Sequence, residues 1–283
     1  MVPRFRYLWT STRHLSFDHC AYHNCKEEAA AFRVDERFVN FTDHVLTLHE
    51  NPTIDSFCLY LNYAAEAYPD YPQYEGGVTE ETRRSNKIGT WICFSARRKV
   101  KFLDLDFLAR AREFLHNLDF PRNLYVLPSI VLRCSCLVEL KLASCEVRLV
   151  GRVQQRSLRK LFVKQIYLTD NKLADILSGC PLLKELSLED CHGLRKPKFC
   201  SAPSIEVLNL EKCNNLKKPD LAQSDKKHLT IDNSGHLELV HLELVCPNVM
   251  ILDIAGRIEG VKATNMSSLV DTSLYFSHYF RFS

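Results

Sequence analysis

The sequence predicts an α/β solenoid: short parallel strands stacked side by side, each followed by a helical or irregular segment that returns the chain. Two observations carry the prediction. A short leucine pattern, L-x-x-L-x-L-x-x-C, is filled at all four marked positions by "LKELSLEDC" (Leu183 to Cys191), by "LVELKLASC" (Leu137 to Cys145) and by "IEVLNLEKC" (Ile205 to Cys213). Looser copies keep the same phase: "VKFLDLDFL" from Val100, "LRKLFVKQI" from Leu158, "KHLTIDNS" around Leu229 and "VMILDIAGR" from Val249. The middle leucines are Leu103, Leu140, Leu161, Leu186, Leu208, Leu229 and Leu252, at intervals of 37, 21, 25, 22, 21 and 23 residues. All but the first interval match the period of leucine-rich repeats.

Strand alternation explains the motif. In "LKELSLED" Leu186 and Leu188 share one face, while Glu185, Ser187 and Glu189 share the other. Stacked repeats bury the leucine face under the return segments and leave the polar face open. Cys145, Cys191 and Cys213 are expected to turn inward where the chain leaves each strand, as compact hydrophobes. The predicted architecture therefore has parallel strands on the concave face, with helices and irregular returns on the convex face.

Two returns are clear helices. "TDNKLADILSGCP" offers Thr169 or Asp170 as a cap, Leu173, Ile176 and Leu177 on one face, and Gly179 with Pro181 as a stop. "DERFVNFTDHVLTLHEN" places Phe38, Phe41, Val45 and Leu48 on one helix face behind an Asp35 cap. A third helix is expected from about Ser85 to Ala96, with Ile88, Trp91, Ile92 and Ser95 inward. "IDSFCLYLN" also fits the repeat through Ile54, Phe57, Leu59 and Asn62. Residues 64 to 82, rich in Pro, Tyr, Gly and acid, read as an exposed insertion.

Composition narrows the function classes. The chain has 283 residues, 46% of them hydrophobic, so it has the material for a core. A formal net charge of +3 lacks the strong basic field of a dedicated nucleic-acid binder. Twelve cysteines occur at irregular spacing with no C-x-x-C, which fits neither a disulfide framework nor a zinc site. No signal-like or membrane-length apolar run is present, so reduced thiols and a location in the cytoplasm and/or nucleus are expected.

Candidate chemistry is sparse. His19, Cys20, His23 and Cys25 carry zinc-ligand atoms, but a closed site draws paired ligands from two separated knuckles, so no metal is expected. Phosphate-loop, dinucleotide, metalloprotease and nucleophile-elbow motifs are all absent, and neither a catalytic residue nor a cofactor is expected. Basic groups at Arg83–Arg84, Arg97–Arg98–Lys99, Lys217–Lys218 and Lys226–Lys227 would bind a phosphate or an acidic target peptide if they converged, and are otherwise solvated corners. The stronger candidate is the polar strand face: Glu139, Lys141, Lys160, Phe162, Glu185, Ser187, Glu189, Asn209, Glu211, Thr230 and Asp253. Phe162, taken as an exposed aromatic among charges, is the kind of anchor that interfaces favour.

The residues also carry a resemblance. "RFRYLWTSTRHLSFD" resembles the closing part of a plant F-box and the junction after it. "RFVNFTDHVLTLHENPTIDSFCLYL", "WICFSARRKVKFLDLDF", "LPSIVLRCSCLVELKLASC" and "SLVDTSLYF" resemble segments of plant F-box/leucine-rich-repeat proteins, so the likeness runs from Arg4 to about Phe276. It implies a substrate-recognition subunit of a Skp–cullin–F-box ubiquitin ligase, the F-box holding the adaptor and the repeats holding a target protein. On this reading residues 1–15 are the end of an F-box and a linker, with Arg6, Tyr7, Leu8 and Trp9 as the residual F-box, and residues 16–283 form the repeat domain. Only that tail of the F-box pattern is present, which leaves a stand-alone repeat scaffold as the alternative. The expected partners are a target protein, plus a Skp-type adaptor and cullin where a functional F-box is present. Neither a membrane nor a nucleic acid is expected.

Overall fold

A computed structural model describes residues 8–23, 34–63, 78–108, 124–149, 151–199, 204–213, 216, 219, 226–233, 240–245, 247–256 and 258–276. The chain forms two compact units, Met1–Arg148 and Leu149–Ser283.

In the N-terminal unit the strands β1 (His14–Asp18), β2 (Ser56–Tyr60), β3 (Phe102–Asp106) and β5 (Glu139–Ala143) are parallel neighbours in that order. A two-residue pair, β4 (Tyr125–Val126) with β6 (Cys145–Glu146), stands apart from them. The returns carry helices α1 (His19–His23), α2 (Glu36–Leu48) and α3 (Val78–Arg97). In the C-terminal unit β7 (Lys160–Lys164), β8 (Glu185–Glu189), β9 (Val207–Glu211), β10 (His228–Asn233), β12 (Ile251–Gly256) and β14 (Asp271–Phe276) are likewise parallel neighbours. Helix α4 (Asp170–Ser178) follows β7, and β11 (Val240–Val245) pairs with β13 (Ile258–Thr264) in a separate ribbon. Each unit is thus a stack of leucine-rich repeats, and the fold is an α/β leucine-rich-repeat solenoid.

The marker leucines align as the period requires. Leu103 and Leu140 are direct partners, and Leu161, Leu186, Leu208, Leu229 and Leu252 form one unbroken row, each at most 4% exposed.

A shared hydrogen-bond pattern starts each strand. The carbonyl preceding one strand accepts two successive N–H groups from the next repeat: Arg13 O takes those of Asp55 and Ser56, and Asp55 O those of Lys101 and Phe102. Arg159, Lys184, Glu206, Lys227 and Met250 repeat the pattern through the C-terminal unit, at 2.8–3.1 Å. Both lone pairs of each carbonyl are used, and register is pinned at the first residue.

The strand exit explains the cysteine. Ser144, Gln165, Asp190 and Lys212, each just past a strand, have φ of 50–54°. This left-handed turn aims the next residue inward, so Cys145, Ile166, Cys191 and Cys213 are buried. The Cys191 thiol donates to Val163 O at 3.5 Å and the Cys213 thiol to Leu188 O at 3.4 Å, each joining its repeat to the one before. Burial pushes the Cys145 thiol far up and the Cys180 thiol to about 12, so both stay protonated. All described cysteines are free.

Three expectations are corrected. The first repeat begins at His14: Leu15, Phe17 and Cys20 are all buried, and β1 straddles the expected boundary between residues 15 and 16. Helix α3 starts at Val78 and not near Ser85, because "VTEETRRSNK" holds no Gly or Pro to delay it, so residues 78–82 of the segment expected as an insertion are helical. Residues 64–77 lie outside the described set. Helix α2 buries Phe38, Thr42 and Leu46 in place of the stripe through Phe41 and Leu48, which are 43% and 38% exposed. Phe41 instead flanks the helix edge, with its ring centroid 5.1 Å from that of Tyr22 and 6.4 Å from that of Phe17. The caps are as read: Asp35 accepts from Phe38 N, and Thr169, the cap in place of Asp170, accepts from Lys172 N.

Two measurements test these packing rules. Leu186→Ala, at a position with no solvent exposure, is expected to lower the unfolding free energy by about 2–5 kcal/mol in a denaturant titration. At the left-handed position Lys212, the Gly variant is expected to be more stable than the Val variant by about 1–2 kcal/mol. Equal stabilities would show that this turn relaxes without strain.

Candidate interaction face

Each strand places its first, third and fifth residues on the open face. In the C-terminal unit they form three rows. The first holds Lys160, Glu185, Val207, His228, Ile251 and Asp271; the second Phe162, Ser187, Asn209, Thr230, Asp253 and Ser273; the third Lys164, Glu189, Glu211, Asp232, Ala255 and Tyr275. All of the residues expected on this face from Lys160 to Asp253 are present, and the middle row unites Phe162, Ser187, Asn209, Thr230 and Asp253. Phe162 is half-buried and not exposed.

Register decides which charges meet. Lys160 pairs with Glu185 at 2.7 Å and Lys164 with Glu189 at 2.5 Å, both between directly opposed residues of β7 and β8. His228 Nε2 lies 2.9 Å from Asp253 and 3.4 Å from Thr230 Oγ1. Sequence reasoning missed Lys164, His228 and Asp232, although extending the alternation by one step along each strand finds them.

The open face of the N-terminal unit carries Glu139 and Lys141, 3.5 Å apart, with the Lys141 ammonium 5.2 Å from the Phe102 ring centroid. Beside them is a set that the sequence reading did not single out: Asp104, Tyr60 and Cys58. The Tyr60 hydroxyl donates to Asp104 at 3.0 Å. Burial raises the pKa of Asp104 against the opposing effects of Tyr60 and Lys141, and burial also raises Cys58 and Tyr60.

At the strand starts, Asp55 bridges Arg13 (3.1 Å) and Lys101 (2.9 Å), and Glu206 bridges Lys184 (2.9 Å) and Lys227 (3.7 Å). Both acids titrate low, mainly through the hydrogen bond from Lys101 and from Lys184 respectively. Lys184, Glu206, Lys227 and Met250 border a shallow groove of about 620 Å³.

The basic groups singled out in the sequence go different ways. Lys226 is 1% exposed, with its ammonium 5.5 Å from the Phe199 ring centroid, while Lys227 lies on the surface. Arg98 donates to the carbonyls of His49 and Asn51 and stacks 4.3 Å over Phe94, tying the end of α3 to the end of α2. Arg83 sits 3.5 Å from Glu36, and Lys217–Lys218 lie outside the described residues. His19 and Cys20 are buried, with His19 edge-on to Phe38; Cys25 lies outside the described residues. Among the described residues, no group of three or more His, Cys, Asp or Glu could hold a metal ion, and no helix is long and apolar enough to cross a membrane. Trp9 belongs to a short 3₁₀ turn, Leu8–Ser11; Arg6 and Tyr7 lie outside the described residues.

The repeats, the aligned leucines and the open polar face define a leucine-rich-repeat protein. A family model described as "FBD-associated F-box protein At5g56370, LRR repeats" matches residues 88–269, and the chain belongs to that family of plant F-box/leucine-rich-repeat proteins. Among Arabidopsis thaliana proteins it is similar to putative F-box protein At1g49610, with 27% identity over 72% of this chain and 41% of the relative. It is also similar to F-box/LRR-repeat protein At4g14096 (27%; 67% and 34%) and F-box/FBD/LRR-repeat protein At5g56420 (26%; 68% and 38%). The chain therefore spans between about a third and two fifths of the length of these curated relatives. No solved structure matches it.

The raised pKa of Asp104 gives a pH prediction. The folded chain holds this proton more tightly than the unfolded chain, so its contribution to stability falls as pH rises from the ordinary carboxylate range through the raised value. Asp104→Asn is expected to remove that fall. Denaturant titrations of both proteins across about pH 4 to 7 check it, and identical pH profiles would contradict it.

Proposed function

We propose that the chain supplies the target-binding surface of an F-box protein, the substrate-recognition subunit of a Skp–cullin–F-box ubiquitin ligase. The observation that carries this reading is the regular open face of the C-terminal unit, whose rows offer polar, aromatic and charged groups on a rigid parallel sheet. Rigid sheet positions hold side chains at low entropic cost, which favours recognition of a protein surface. The names of the relatives support the ligase link. In this role ubiquitin transfer belongs to other subunits, so the chain needs no catalytic residue. Adaptor contact belongs to F-box residues, of which Arg6, Tyr7, Leu8 and Trp9 would be the last. A location in the cytoplasm or nucleus goes with the role.

A photo-crosslinker placed at Asn209, on the open face, and separately at Asp175, on helix α4, tests the surface in plant extract. A specific protein is expected to be captured through position 209 and not through 175. Its ubiquitination in a reconstituted ligase, with an F-box fused upstream, is expected to fall about tenfold on Asn209→Arg, equivalent to about 1.4 kcal/mol of binding. Capture without ubiquitination would favour a stand-alone scaffold. Equal capture from both positions would contradict the face as the binding surface.

A further inference from the structure

We infer that β14 docks an extended apolar segment of the target protein, added to the sheet as one further parallel strand. The inference rests on the target-binding reading above and names the form and chemistry of the segment that binds.

Three observations meet at β14. Among the described residues it has a strand neighbour on one side only, β12, so the other backbone edge of Asp271–Phe276 is open. In this unit the carbonyl before each strand takes two successive N–H groups from the next repeat, a series that ends with Met250 O, which takes those of Val270 and Asp271. Val270 O is next in that series, and no described strand lies beyond it. The inward row breaks at the same place. Leu188, Leu210, Ile231 and Ile254 are direct partners in turn and at most 3% exposed, whereas Leu274, the partner of Ile254, is 51% exposed. By contrast β1, the end strand of the N-terminal unit, has its inward Leu15 and Phe17 buried.

These features select the occupant. Two successive N–H groups at Val270 O require a strand parallel to β14, and register then sets an aliphatic side chain beside Leu274 and the residue after it beside the exposed Tyr275. A symmetric pair of this chain does not meet both demands. Its two β14 strands would run antiparallel, or parallel with the leucine and open faces exchanged. A strand from the target instead lengthens each of the three open rows by one position, so this edge is continuous with the proposed interaction face.

Fluorescence anisotropy with the full chain tests this, the probe being a labelled peptide of the chain's own β9 sequence, "IEVLNLEK" (Ile205–Lys212), which carries the required N–H groups and leucines. Saturable binding is expected. N-methylation of the peptide at the Glu206 and Val207 nitrogens, or Leu210→Ser in the peptide, is expected to weaken it about tenfold or more. In the chain Leu274→Asp is expected to do the same, and Leu182→Asp, at another exposed leucine, to have little effect. Undiminished binding of the N-methylated peptide, or equal losses from the two chain variants, would overturn the inference. So would a dimer in sedimentation that Leu274→Asp dissociates, because a second copy would then occupy the edge. If the captured target is lost on Asn209→Arg but kept by Leu274→Asp, the open face stands as the binding surface and docking at β14 falls.

Discussion

The structure depends on a constraint of stacking: no repeat can bury its own leucines. A five-residue strand such as Glu185–Glu189 carries two inward leucines, Leu186 and Leu188, and excludes water from them only when neighbouring repeats lie in register on either side. The paired N–H groups on one carbonyl at each strand start enforce that register. A slip of one residue would send every leucine outward and every open-face charge inward, so the bond that aligns the core also composes the interaction face.

The two ends of the strands then differ in kind. At the start, backbone bonding is joined by ion bridges, Arg13–Asp55–Lys101 and Lys184–Glu206–Lys227. At the exit, a left-handed residue and an inward cysteine or isoleucine close the unit. Cysteine suits that position because its thiol fills an apolar site and still donates to a carbonyl of the preceding repeat. Between the ends only three residues per strand remain open. The face is therefore narrow, and its character comes from which charges find partners in register.

Much of this was legible in the sequence because alternation and period are properties of the chain. All seven marker leucines lie on a strand, and the three full copies of the motif have buried anchors from the first leucine to the closing cysteine. "LSFDHC" escaped notice because Phe17 replaces a leucine and the stretch sits beside the F-box-like residues. The inward stripe of α2 was misread because helical spacing admits Phe38–Phe41–Val45 and Phe38–Thr42–Leu46 alike, and only packing chooses between them. "HLELV" looks like another core strand, yet β11 pairs with β13 outside the main row. Face membership could be read from sequence for Ser187 or Asn209. The pairing of Lys164 with Glu189, or of Tyr60 with Asp104, could not, because it joins residues 25 and 44 positions apart.

The most direct test of this account compares two adjacent residues of β8. Ser187→Arg, on the open face, is expected to unfold cooperatively with a stability within about 0.5 kcal/mol of the parent. Leu188→Arg, one residue on, would bury a charge without a partner and is expected to abolish the folded state. Similar melting of the two variants, or loss of folding in Ser187→Arg alone, would contradict the division of each strand into a structural face and an interaction face.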